Sequence, residues 1–189
     1  ATNIFSPEHL MNYSSKIASF IDIVNKMKKD DPNRGVIFIY SQFINSGVVP
    51  IALALEMNGY TKYGGSIINS DNRPHNYEHK GTYIIISGDK DLSSNSYENY
   101  MKIQEDNING DKVRVIIGSE TASEGLDFSY IRQVHILEPW FHLNKIEQVI
   151  GRGIRNCSHI GLPYNRRNVM VYMYVSTMSS NPKNDIETI

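Results

Sequence analysis

The apolar residues of this chain fall into short runs rich in β-branched and aromatic side chains, separated by longer stretches with helical spacing. Five runs have the length of a strand, and they cover residues 36–40, 83–86, 113–117, 133–137 and 169–175. Runs with few polar interruptions are typical of strands buried on both faces, as in a parallel sheet. Because strands and helices alternate along the chain with short connections, the pattern predicts an α/β fold with a mainly parallel central sheet.

Helical spacing is clearest between residues 10 and 27, where apolar side chains recur on one face. Ser6, Pro7 and Glu8 suit a helix start as a cap, a first-turn proline and an acid that complements the helix dipole, so a helix is predicted to begin there. Further helices are predicted over residues 48–58 and 96–107, and another after Asn144, which can cap the helix over residues 145–155.

Composition limits the class of protein. The 189 residues suffice for about one domain with a sizeable core, and the 40% hydrophobic and 21% charged content is ordinary for a soluble protein. The formal net charge of -1 excludes a strong overall positive field, so any contact with nucleic acid has to come from a local patch. Cys157 is the single cysteine, which excludes a disulfide framework and favours a reducing, intracellular compartment. We expect neither a signal peptide nor a membrane span, since no apolar run has the necessary length.

A polar stretch over residues 61–81 contains His75 and His79, four positions apart. On a helix this spacing would place both imidazoles on one face, where they could bind a metal ion. Pro74 and the lack of an apolar face argue against a helix. We therefore interpret both residues as solvated histidines of a long loop and predict no metal site.

Most of the candidate chemistry lies in the second half of the chain. The strand over residues 113–117 is followed by a small polar loop and then by Asp127, and the helix after the next strand carries Gln148, Arg152 and Arg155. Residues three apart share one face of a helix, so both arginines can approach one phosphate. Open α/β sheets bind nucleotides at the carboxyl ends of their strands, and the pattern therefore predicts a phosphate and ribose site at that edge.

Two glycines, Gly151 and Gly153, lie inside the same predicted helix, where glycine costs about 1 kcal/mol relative to alanine. That cost is understandable if another backbone or a ligand approaches the helix closely. The alternative interpretation of the arginines beside them is an ordinary solvated face, on which they pair with Glu138 or Glu147.

This part of the chain resembles the second RecA-like lobe of superfamily II helicases and Swi/Snf-type translocases. Two segments carry the resemblance, the first similar to motif V of that family and the second to motif VI: Gly125-Leu126-Asp127-Phe128 and Gln148-x-x-Gly151-Arg152-x-x-Arg155. The continuation through His159 is most similar to helicases of large DNA viruses of the pox and giant-virus kind. The resemblance covers roughly residues 36–175 and implies a three-layer, RecA-like (P-loop NTPase-like) domain.

The resemblance also implies a role for each matching residue. Arg152 and Arg155 are expected to act as arginine fingers on the γ-phosphate of a nucleotide, with Gln148 holding the same phosphate or a catalytic water. A guanidinium suits the charge that grows on the phosphate oxygens, because it donates two directed hydrogen bonds and stays protonated. Asp127 is expected to accept a hydrogen bond from a ribose hydroxyl. The nucleotide-binding set implied by the resemblance is Gly125, Asp127 and Gly151.

A nucleic-acid track is implied as well, at which phosphates are held by amides, hydroxyls and a few cations without base readout. The residues at the family's positions are Ser41, Gln42, Gly88, Ser119 and Thr121. The polar pair after the first strand could equally cap the helix that follows it. Arg166 and Arg167 could add positive charge near the track, or could be a solvated pair before the last strand.

Parts of an NTPase site are missing from the sequence. There is no G-x-x-x-x-G-K-S/T loop to hold β- and γ-phosphates, and no Asp-Glu pair after an apolar strand to hold Mg²⁺. In the family these parts belong to the first lobe, so ATP and Mg²⁺ would be held mainly by that lobe of a longer parent protein. We therefore expect this chain not to hydrolyse NTP alone. The implied partners are the N-terminal RecA-like lobe of the same parent, DNA or RNA contacted through phosphates, and viral transcription machinery, with no membrane.

Three functions remain open at this point. The first is the C-terminal motor lobe of an ATP-dependent helicase or double-strand translocase. The second is a degenerate lobe kept as a scaffold or binding module in a transcription complex, which the intact arginines and Asp127 disfavour. The third is a self-standing nucleotide-binding domain of Rossmann type, which is disfavoured because no glycine-rich loop follows the strand over residues 36–40.

These interpretations divide the chain into an N-terminal helix over residues 1–30, a helicase C-terminal RecA-like domain over residues 31–176 and a tail or linker over residues 177–189. We expect the chain to be a piece of a longer, intracellular protein. If that protein is viral, a cytoplasmic viral factory or the virion is the expected location.

Overall fold

The computed structural model describes residues 4–28, 31–69, 78–120, 127–139, 143–155 and 157–177. Within these residues the strands are β1 (Val36–Tyr40), β2 (Tyr60–Lys62), β3 (Gly81–Ile86), β4 (Val115–Gly118), β5 (Ile131–Ile136) and β6 (Met170–Met173). The helices are α1 (Leu10–Tyr13), α2 (Ser15–Lys26), α3 (Val49–Met57), α4 (Lys90–Ser93), α5 (Ser96–Met101) and α6 (Leu143–Gly153). A π-helical turn precedes α3 at Ile44–Val48, and 3₁₀ turns lie at Gln104–Asp106 and Tyr164–Arg166.

The strands form one sheet in the order β2-β3-β4-β1-β5-β6, and neighbouring strands are parallel throughout. β1 occupies the centre because all five of its residues are apolar and buried, so it can be covered on both faces and both edges. All strands point the same way, so their carboxyl ends meet at one edge of the sheet and their amino ends at the other. The predicted parallel α/β fold is confirmed.

Side chains of β1 point alternately to the two faces of the sheet and join a separate apolar cluster on each face. Ile37 and Ile39 pack with side chains of α2 and α3. Phe38 packs on the opposite face with Tyr100 of α5 and Val149 of α6. Helices therefore cover both faces, which is the three-layer architecture expected of a RecA-like domain.

Two elements, the first helix and the second strand, differ from the sequence predictions. The segment Tyr60–Lys62 is a strand inside a stretch predicted as loop, because three residues, two of them polar, are too few to show a strand pattern. The first helix begins at Leu10 rather than beside Ser6. It is interrupted at Ser14, whose side chain caps α2 by accepting a hydrogen bond from the backbone N–H of Ile17.

Two further helices have different ends from those predicted. The helix predicted over residues 96–107 is α5, which ends at Met101 and is followed by a 3₁₀ turn. α6 already includes Leu143, one residue before the predicted cap Asn144, and it ends at Gly153. Across the described ranges, the helices are too short or too polar to cross a bilayer.

Candidate functional site

α6 crosses one face of the sheet from the carboxyl ends of the strands to their amino ends. Near its start, Ile146 lines a small cavity together with Ile136, the last residue of β5. Near its end, Gly153 lies against the first residue of β5: a Cβ at this glycine would be 3.0 Å from the Ile131 side chain and 2.6 Å from that of Val134. Glycine is needed at this position because helix and sheet approach too closely for a side chain.

Asp127 lies at the amino end of β5, just before that strand begins. β4 ends at the carboxyl edge of the sheet, and β5, on the other side of β1, begins at the opposite edge because the strands are parallel. The prediction that Asp127 belongs to the carboxyl edge is therefore wrong. The sequence shows which strand precedes a loop residue, but it does not show at which edge of the sheet that residue lies.

Arg155 lies at the same amino end of β5, beyond the last residue of α6. The prediction that Arg152 and Arg155 share one helix face is therefore wrong. Its guanidinium forms an ion pair with the carboxylate of Asp127. The Arg155 side chain is 40% exposed and that of Asp127 58%, so solvent screens the pair and it contributes at most about 1 kcal/mol. Among the described side chains, the partner of Arg155 is thus another predicted nucleotide-binding residue rather than Glu138 or Glu147, and a competing anion can displace it.

Hydrogen bonds join the two segments that carry this ion pair. The N–H of Tyr130 donates to the carbonyl of Ser158 at 3.0 Å. Nε2 of the buried His159 donates to the carbonyl of Ile131 at 2.6 Å. These contacts hold the end of the motif VI segment against the start of β5. Arg155 and Asp127 therefore face each other although they are far apart in sequence.

Two residues of these segments have a left-handed backbone conformation that disfavours side chains. Tyr130 has φ of +63° and Cys157 has φ of +64°. Such a conformation costs about 1–2 kcal/mol per residue and is concentrated at functional sites. No role was predicted from sequence for Tyr130 or His159. Only their positions in the sequence could have pointed to them: Tyr130 follows the motif V segment, and His159 ends the continuation of motif VI.

The outward face of α6 carries the other predicted phosphate ligands. Gln148 is exposed and Arg152 is partly exposed one turn later. A Cβ at Gly151 would meet no heavy atom within 4 Å, so no described part of the lobe requires glycine there. An open glycine beside exposed polar residues leaves room for a ligand or a second lobe to approach the helix backbone. Gly125, of the same predicted set, lies outside the described residues.

The predicted nucleic-acid residues follow the carboxyl ends of β3, β4 and β1, which are adjacent in the sheet. Ser41 is fully buried, and its hydroxyl donates to the carbonyl of Phe43 and accepts from the N–H of the same residue. These bonds close the turn after β1, and the helical turn that follows begins without a side-chain cap among the described residues, so the capping alternative is wrong. Ser119 is also buried. Gly88 is exposed and Gln42 is partly exposed, so these two offer atoms to a passing strand. Thr121 lies outside the described residues.

Arg166 and Arg167 lie at the amino end of β6, on the opposite edge from this set. Nε of Arg166 donates to the carbonyl of Pro32 at 3.1 Å. Arg167 donates to the carbonyls of Leu162 at 2.8 Å and Ile160 at 3.0 Å. Both arginines hold turns together, and the prediction that they add charge near the track is wrong.

The two histidines considered as metal ligands are not brought together among the described residues. His79 is exposed, and its predicted companion His75 lies outside the described residues. Within the part of the chain that the structure describes, no group of three His, Cys, Asp or Glu side chains is arranged to hold a metal ion.

The architecture and the paired motif segments define a RecA-like helicase lobe. Solved structures of this class have the same fold. The C-terminal part of the Fun30 ATPase domain superposes with a TM-score of 0.57 at 14% identity, over 85% of this chain and 41% of that one. The yeast DEAD-box splicing factor Prp28 superposes with a TM-score of 0.53 at 17% identity, over 85% of this chain and 26% of that one.

The family described as "Helicase conserved C-terminal domain" matches residues 75–157, a range that includes Asp127, Gln148, Arg152 and Arg155. Over this range, which is a little under half of the chain, the sequence has the pattern of the helicase C-terminal domain family.

Several proteins of large DNA viruses are similar to this chain. A protein of Acanthamoeba polyphaga mimivirus named as an ATP-dependent RNA helicase is 33% identical over 88% of this chain and 26% of its own length. The termination factor NPH-I homolog of African swine fever virus is 28% identical over 82% of this chain and 25% of its own length. The chain thus spans about a quarter of the length of these relatives.

Proposed function

We propose that this chain is the second motor lobe of an ATP-dependent nucleic-acid helicase or translocase, and that it supplies Arg155 to a phosphate held chiefly by the first lobe of the same parent. The observation that carries the proposal is the ion pair between Arg155 and Asp127 at the exposed end of α6. It brings together the two family motifs at a surface, in a pair weak enough for a nucleotide to separate.

The residues present suit a nucleotide that approaches this surface from outside the lobe. ATP with Mg²⁺, when bound, supplies the phosphoanhydride bond that is broken. Arg155 exchanges the carboxylate of Asp127 for phosphate oxygens, and the released carboxylate accepts a hydrogen bond from a ribose hydroxyl. Arg152 and Gln148, on the outward face of α6, complete the phosphate contacts, and Gly151 leaves space for them. An arginine that neutralises charge in this way raises the rate by about 10³–10⁵.

The nucleic acid is proposed to cross the opposite edge of the sheet. Gln42 and Gly88 offer exposed atoms there, and the buried Ser41 and Ser119 shape the ends of β1 and β4 that support them. These groups contact phosphates and sugars rather than base edges, so we expect little sequence specificity.

A viral setting and transcription partners belong to the same proposal. Its support is the relative in African swine fever virus that is named as a termination factor. A parent working in transcription would act in a viral factory or in the virion. A degenerate scaffold is less well supported, since a scaffold has no need for the paired Asp127 and Arg155.

Steady-state ATP hydrolysis tests the proposal. We expect this chain alone to show no turnover, because the phosphate-holding and Mg²⁺-holding motifs are not in its sequence. A parent that carries both lobes should turn over ATP, and faster when single- or double-stranded DNA or RNA is added. Multiple turnovers by the purified chain, or a parent unresponsive to every nucleic acid, would contradict the proposal.

A further inference from the structure

The proposed track lacks an assigned cation. Affinity for nucleic acid comes largely from neutralising phosphates with lysine or arginine, so hydroxyls and amides alone are insufficient. Arg166 and Arg167 cannot serve because they lie at the other edge of the sheet. At the carboxyl edge, Lys16 already donates from Nζ to the carbonyl of Leu137 at 3.2 Å. A different lysine, in the first turn of α6, occupies the better position.

Lys145 lies between the two central strand ends of the proposed track. Its side chain lines the small cavity beside Tyr40 and Gln42, at the end of β1. Its Nζ is 2.7 Å from Oε1 of Glu120, which directly follows Ser119 at the end of β4. The ammonium group is therefore placed where a strand running over both ends would put a phosphate.

We propose that Lys145 is a phosphate-binding residue of the nucleic-acid track, and that Glu120 holds its ammonium group until a phosphate displaces the carboxylate. The proposal rests on the proposed function, because it takes the carboxyl edge to be the track. The Lys145 side chain is 30% exposed and that of Glu120 61%, so the ion pair is screened by solvent and exchanges readily. A second carboxylate, Glu138, lines the same cavity, and the cation that acts on it is Lys16.

The assignment gives α6 a double role. Lys145 lies in its first turn at the track, whereas Arg152 lies in its last turn and Arg155 just beyond, at the nucleotide surface. One rigid helix of about 16 Å then connects the group that grips the strand with the groups that contact the nucleotide.

Binding of labelled oligonucleotides to the chain tests this assignment. We would measure fluorescence anisotropy with single-stranded oligothymidine and oligouridine over a series of salt concentrations. Loss of one phosphate contact lowers the slope of log K against log salt by about 0.7, and at about 0.1 M salt it weakens binding about fivefold. We expect these changes for Lys145→Gln. Glu120→Gln should tighten binding, because it removes the competing carboxylate.

Lys26→Gln is the matched control. Lys26 pairs with Asp22 at 2.6 Å, a similar exposed ion pair, but it lies at the end of α2 on the other edge of the sheet. This variant should bind like the wild type and keep its salt slope. Wild-type binding that is unchanged in Lys145→Gln and in Glu120→Gln would overturn the assignment of Lys145 alone. Failure of the wild-type chain to bind either oligonucleotide would overturn the track itself, and the assignment with it.

Discussion

At the scale of single residues, His135 is a histidine held in a fully enclosed environment. Its Nδ1 is 2.7 Å from the hydroxyl of Tyr174 and its Nε2 is 3.0 Å from Oε1 of Gln133. The ring stacks on Tyr172 at a centroid distance of 4.5 Å and meets the edge of Phe20 at 5.0 Å. This packing ties β6 to β5 and α2, and the imidazole is completely buried in it. Burial disfavours the charged ring and lowers the pKa of His135 to about 3.

The lobe should therefore lose stability in mild acid. The folded pKa of about 3 lies below the ordinary value of 6.5, so between these two pH values the unfolded chain binds the extra proton. Nothing is lost above pH 6.5, whereas lowering the pH from about 7 to about 5 should remove about 2 kcal/mol of unfolding free energy through this group. Urea unfolding at both pH values measures the loss.

His135→Gln keeps a hydrogen-bonding side chain but cannot titrate, so its stability should fall by about 2 kcal/mol less than that of the wild type over the same interval. His79→Gln, at an exposed position, is the control and should behave like the wild type. A wild type and a His135→Gln variant with the same pH dependence would show that the buried ring is not what makes the lobe acid-sensitive.

At the scale of elements, α6 carries two glycines with opposite surroundings. Gly153 faces the sheet, where a methyl group would come within 2.6 Å of Val134, whereas Gly151 faces open space. Gly153→Ala should destabilise the lobe by about 1–3 kcal/mol, because helix and sheet have to separate. Gly151→Ala should stabilise it by up to about 1 kcal/mol, through the higher helix propensity of alanine. Urea unfolding of both variants measures the difference.

The two alanine variants also distinguish an effect on folding from an effect on ATP turnover. In a parent with both lobes, Gly151→Ala should reduce ATP turnover although it stabilises the fold, because the methyl group occupies the space proposed for the nucleotide or the first lobe. A stabilised variant with unchanged turnover would show that this space is not used. Equal loss of stability in the two variants would contradict the close packing of helix and sheet at Gly153.

Strands with long apolar runs were predictable from sequence, and those without them were not. β1 and β4 are buried along their whole length, so their β-branched residues show plainly. β2 has three residues and gave no pattern. The position at which α6 ends was not predictable either. α6 ends at Gly153, where the close contact with β5 exists only in the folded lobe.

For much of the candidate site, the sequence predicted which residues belong to it but not where these residues lie in the fold. Asp127 and Arg155 were singled out in sequence, yet their pairing depends on β5 lying beyond β1 and beginning at the opposite edge from the end of β4. No local pattern encodes that arrangement of strands. Lys145 was missed for a related reason, because its position beside Gln42 depends on where α6 begins over the sheet.

At the scale of the whole molecule, the lobe has two working surfaces at opposite ends of its strands. Gln42 and Gly88 lie at the carboxyl ends, whereas Asp127 and Arg155 lie at the amino end of β5. A six-residue strand spans about 20 Å, which is the approximate distance between the surfaces. The nucleotide is thus proposed to meet the lobe at the amino end of β5 rather than at the carboxyl ends of the strands, as suits a lobe that completes a neighbour's site.

The central claim is that Arg155 acts on a phosphate held by another lobe, and the most direct measurement is ATP turnover by the Arg155→Ala variant of a parent that carries both lobes. Turnover should fall by about 10³ or more, while the fold is retained and ATP still binds. Arg167 lines an open groove together with Arg155 and His159, but its guanidinium donates to backbone carbonyls. Arg167→Ala is therefore the control and should keep normal turnover. Near-normal turnover by Arg155→Ala would contradict the account.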